Sequence, residues 1–145
     1  MSLNENDIRE WPRAGGWHLD PQTGHRVRPG DGLEIGDRVT LGDGVSFGDG
    51  VTIGDAVTLG DGAVIGDGTT LGSGVHVGPN VRVGDGVTIG NDVALGSAVR
   101  IGDGATVGDR ASIGQRSRIG DGAEVDAGIR IADNVVVPDG ALVAL

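Results

Sequence analysis

From Ile35 to Val143 every sixth residue is aliphatic or Phe, nineteen positions in succession with no insertion. Two residues before each sits a smaller inward candidate, among them Val39, Val45, Ala63, Thr69, Ala105 and Ser117. Gly follows the first fifteen large positions, from Gly36 to Gly120. The unit is therefore small–x–large–Gly–x–x. Side chains two apart in a strand share a face, so the small and large positions both point inward. The residue between them points outward and is usually Thr, Ser, Arg or Glu. The next residues, often Asp-Gly, form a bend: Gly accepts a positive φ there, and Asp can bond its own backbone. Each unit predicts one short strand and one corner. A single unit cannot bury its face, but stacked coils can.

A second period sets the number of units per coil. At every third corner the dipeptide is Asp-Gly: 49–50, 67–68, 85–86, 103–104, 121–122 and 139–140. The other two corner columns are mixed, one holding Asp37-Arg38, Asp55-Ala56 and Ser73-Gly74, the other Asp43-Gly44, Pro79-Asn80 and Ser97-Ala98. This longer period predicts three sides per coil, 18 residues each. About six coils, stacked roughly 4.8 Å apart, give a prism about 30 Å tall.

This pattern resembles the hexapeptide-repeat superfamily, the acyltransferase-like repeat proteins, over residues 31–145. The resemblance implies an all-β fold: a single-stranded, left-handed parallel β-helix, triangular in section. The left hand comes from the resemblance alone, because parallel crossovers are normally right-handed. A calcium-binding nonapeptide roll does not fit a period of six.

Residues 1–30 break the repeat and are expected to be a capping segment. Within them Trp17–Arg28 predicts a β-hairpin, with Asp20-Pro21 starting the turn and Gly24 closing it. An open solenoid end exposes strand edges and core, and this segment, with Trp11 and Trp17, is the expected cover. After Gly120 the repeat loosens at Asp126, Ala132 and Pro138, then reaches Val143-Ala144-Leu145 still in phase. The expectation there is a last coil that is left open or covered by another subunit.

Composition adds exclusions. Thirty residues are Gly and the aromatics are Phe47, Trp11 and Trp17, yet the strict aliphatic period argues against disorder. The net charge of −10 argues against nucleic acid and anionic membranes as partners. With no Cys, thiolate chemistry and disulfides are excluded. The opening MSLNENDIREW is too polar for a signal peptide, so a cytoplasmic setting is expected.

Candidate chemistry is sparse. The family resemblance implies trimeric acyltransferases using acyl-CoA, with active sites between neighbouring prisms and a His as general base. His76 is the one His of the coils, at an outward mid-strand position, and is the catalytic candidate under that reading. No loop interrupts the coils to build a substrate pocket, and no helix is expected within residues 31–145. Zinc chemistry of the carbonic-anhydrase type needs three converging His, whereas His18 and His25 fall in the cap. Asp67, Asp85, Asp103 and Asp121 belong to an aligned column, where carboxylates about 5 Å apart repel by about 1–3 kcal/mol per neighbour. That column is a weak Ca²⁺ candidate; the alternatives are plain turn chemistry or pairing with Arg82, Arg100 and Arg118. A Thr rank, Thr52, Thr70, Thr88 and Thr106, is the feature an ice-binding face would use, but its second rank is Gly.

These observations favour a non-catalytic β-helical scaffold or self-assembly module with no cofactor. Its partner would be itself, as a lateral trimer or an end-to-end dimer. The alternatives are an acyl-CoA-dependent acyltransferase at a subunit interface, and an ice- or ion-binding β-helix.

Overall fold

The computed structural model describes residues 8–14 and 17–144. The repeat becomes a three-sided parallel β-solenoid. Its first face carries Val45–Phe47, Val64–Ile65, Arg82–Val83, Arg100–Ile101, Arg118–Ile119 and Val136–Val137, stacked in sequence order. The second runs from Glu34–Ile35 to Leu142–Val143, and the third from Thr40–Leu41 to Arg130–Ile131. Each strand lies parallel to, and in register with, the strand 18 residues away, as in Arg82↔Arg100 and Val83↔Ile101.

The strands are only two or three residues long because each side of the triangle has six residues and the corner takes the rest. Inward pairs such as Val81 and Val83, or Val87 and Ile89, fill the prism and are almost wholly buried. Two polar residues also point inward, and both are satisfied. Thr69 Oγ1 donates to the Gly84 carbonyl at 2.8 Å. Ser117 Oγ donates to the Ala132 carbonyl at 2.7 Å and accepts from the Val135 N–H at 3.1 Å.

At the N-terminal end, strands Trp17–Leu19 and Arg26–Arg28 form an antiparallel pair, and Arg13–Ala14 adds to it. Arg26–Arg28 then pairs in parallel with Val45–Phe47, so the first face is extended by this hairpin. Ile8 is fully buried and Trp11 packs against the core. Trp17 has a different role: its ring meets the Arg28 guanidinium at 4.1 Å and that of Arg26 at 5.4 Å. Arg9 ties the segment to the coils through Asp31 at 2.8 Å. At the other end Val143 is half-buried and Leu142 exposed; Leu145, the last residue of the expected open coil, lies outside the described residues. No helix among the described residues is long and apolar enough to cross a membrane.

Candidate functional site

The in-register stack turns every repeat position into a column. On the third face His76 stands between Thr58 and Ala94. It is exposed, and no hydrogen bond engages its ring among the described residues. A general base needs an orienting partner and a pocket for the proton donor; among the described residues no side chain hydrogen-bonds the ring, and His76 does not line the depression beside Arg82, Arg100 and Arg118. The other two histidines are elsewhere. His18 is buried in the N-terminal hairpin with no partner for Nδ1 among the described residues, and His25 Nδ1 lies 3.1 Å from the Leu41 carbonyl oxygen. Among the described residues no three His, Cys, Asp or Glu side chains gather as a metal-ligand set.

The Asp column has a clear local role. Asp31 N–H donates to Asp49 Oδ1 at 2.9 Å, and the same bond repeats from Asp49 to Asp67, Asp67 to Asp85, Asp85 to Asp103, Asp103 to Asp121 and Asp121 to Asp139, at 2.8–2.9 Å. Each carboxylate therefore caps a backbone amide of the coil before it, rather than its own turn. The following Gly N–H donates back, as Gly104 does to the Asp85 carbonyl at 2.9 Å. The mixed corners do this only in part. Asp55, Ser73, Asn91 and Asp109 continue one ladder, and Asp43, Asp61 and Asp133 form pieces of the other. Pro79 and Ala127 lack an acceptor side chain and interrupt them.

One corner carboxylate is also electrostatically distinct. Asp43 accepts from the backbone N–H of Arg26 at 2.8 Å and meets its guanidinium at 3.3 Å. These bonds hold the Asp43 carboxyl below the usual carboxylate range.

The same alignment stacks Arg82, Arg100 and Arg118 on the first face, one per coil. All three are exposed, and no ion pair joins them to the Asp column among the described residues. Val64 and Val136 continue the row and are both exposed. Beside the row runs a shallow depression of about 650 Å³, floored by Gly84, Gly102 and Gly120. On the second face Thr52, Thr70, Thr88 and Thr106 form a single rank bounded by Glu34 and Glu124.

Residues 54–144 match the family model of the GMPPB C-terminal domain, and residues 32–67 match that of the bacterial transferase hexapeptide, six repeats. The chain belongs to the GMPPB C-terminal domain family and carries the hexapeptide repeat. Among solved structures, this hexapeptide-repeat chain is similar to a hexapeptide transferase family protein from Anaplasma phagocytophilum. The two are 24% identical with a TM-score of 0.58, covering 83% of this chain and 74% of that one. That likeness shows the fold, a left-handed parallel β-helix. PerB from Caulobacter crescentus, in complex with CoA and GDP-perosamine, is 27% identical with a TM-score of 0.45, over 82% of this chain and 55% of that one. The acetyltransferase domain of PglB from Neisseria gonorrhoeae is 22% identical with a TM-score of 0.44, over 80% and 53%. The hexapeptide-repeat chain thus spans about half the length of these last two. A search of curated proteins finds no match.

Proposed function

We propose that the chain is a non-catalytic β-helical scaffold that associates with itself. The observation that supports this best is the environment of His76. It is an exposed side chain on a flat strand, between Thr58 and Ala94, with no orienting partner among the described residues. The coils around it continue without a loop that would wall a substrate pocket. Meanwhile the corner carboxylates are engaged in holding coil to coil, which is structural work. A cytoplasmic role and a homo-oligomeric state belong to the same reading.

The competing reading, an acyltransferase using acyl-CoA, draws its support from the transferase-hexapeptide match. Calorimetric titration with acetyl-CoA separates the two. The scaffold reading expects no saturable heat, and His76→Ala leaving every measurable property of the chain unchanged. Tight saturable binding that His76→Ala weakens would replace it with the enzyme reading.

A further inference from the structure

We propose that the Arg82, Arg100 and Arg118 row docks on the Asp85, Asp103 and Asp121 row of a second copy, in a parallel dimer whose two-fold axis runs along the coil direction. This rests on the self-association reading and specifies its surface.

Three stacked guanidiniums repel one another, and among the described residues no carboxylate lies within ion-pairing distance to offset it. Three residues further along each coil stands an Asp whose Oδ1 accepts from the preceding coil. No hydrogen bond reaches the second oxygen, Oδ2, of Asp85, Asp103 or Asp121 among the described residues. One row of unpaired cations and one row of half-engaged anions therefore run side by side. Both repeat at the same interval, about 4.8 Å, because the coil rise sets both. Between them lies the depression floored by Gly84, Gly102 and Gly120, with Val64 at one end and Val136 and Pro138 at the other.

Two symmetric ways exist to lay this face on its own copy. A two-fold axis running across the face places Arg on Arg and Asp on Asp. An axis along the coil direction, above the Gly84, Gly102 and Gly120 floor, exchanges the rows. Arg of each copy then faces Asp of the other, twice over. A closed two-fold permits no shift along its axis, so the register is fixed: Arg82 opposite Asp85, Arg100 opposite Asp103, Arg118 opposite Asp121. The two rows are three residues apart, about 10 Å, and the prism is about 30 Å tall, so the overlap is roughly 300 Å² per copy, in the range of weak, transient contacts. Exposed ion pairs are individually weak and screened, so the dimer is expected to be salt-sensitive.

The test is sedimentation of the full chain at about 50 mM and about 1 M salt, with two triple variants. D85N/D103N/D121N keeps the Oδ1 acceptor at each corner and removes the charge; R82Q/R100Q/R118Q removes the cations. Circular dichroism checks that both retain the coils. The proposal expects a wild-type dimer that dissociates at high salt. Each variant alone should dimerise at least about tenfold more weakly, and an equimolar mixture should regain part of the affinity, since one row pair is restored. Self-association unaffected by either variant would overturn this surface and leave the scaffold reading standing. A chain that stays monomeric at every salt concentration would overturn both.

Discussion

Asp103 reaches back across one coil, its Oδ1 accepting a hydrogen bond from the Asp85 N–H at 2.9 Å. The bond is exposed, so water competes for the amide, and its net worth is modest. Asp103→Ala is expected to cost about 1 kcal/mol, read as a lower denaturant midpoint. Asp103→Asn keeps the acceptor and lowers like-charge repulsion along the column. It should be neutral, or slightly stabilising at low ionic strength.

The carboxylate's position explains a glycine next to it. A Cβ at Gly84 would run into Asp103 Oδ1 and come within 2.8 Å of the Asp103 backbone nitrogen. Gly86, two residues on, has open space around it but a φ of +65°. Gly86→Ala is therefore expected to cost about 1–2 kcal/mol in backbone strain alone. Gly84→Ala should cost more, about 3 kcal/mol, since coils must move apart. Removing the carboxylate in Gly84→Ala/Asp103→Ala should recover only part, because the backbone nitrogen remains. Chemical denaturation of the three variants checks the order.

Corners without glycine carry the opposite cost. Ala56 and Ala98 sit at φ 57° and 60°, the left-handed region. Ala98→Gly and Ala56→Gly are each expected to stabilise the chain by about 0.5–1 kcal/mol, after the unfolded chain's extra freedom is subtracted. A rise in thermal midpoint, additive for two sites in different coils, would bear this out.

Asp43 links stability to pH. Its carboxyl is depressed by the Arg26 backbone N–H and guanidinium. A group depressed on folding contributes stability that is present above its unfolded value, near 3.8, and lost as pH falls through the lower folded one. The gap in melting temperature between wild type and Asp43→Asn should therefore be constant at pH above about 5 and close toward pH 2. A gap that widens on acidification would contradict this assignment.

The six-residue aliphatic spacing made the strands readable, and the Asp-Gly recurrence made the triangle readable, because both follow from local alternation and turn chemistry. Gly84 carries no such local signal. Its φ is not positive, and its need for no side chain arises from Asp103, nineteen residues later in sequence and one coil away in space. Turn chemistry accounts for Asp at the corner, but the amide it accepts from lies 18 residues upstream, and an interaction of that span has no local signature. Alternation alone turns His76 outward, but its lack of an orienting neighbour among the described residues depends on Thr58 and Ala94, which only stacking brings beside it. That no ion pair engages Arg82, Arg100 or Arg118 among the described residues depends on side-chain reach, which spacing does not specify.

The backward direction of the corner bonds has a consequence for synthesis. Each carboxylate closes the amide of the coil already made, 18 residues upstream. As the nascent chain leaves the ribosome, the corner at Asp85 stays incomplete until Asp103 emerges. At about 5–20 residues per second that delay is about one to four seconds. During synthesis the newest coil is always the unfinished one, because its corner amides wait a full turn for their acceptors.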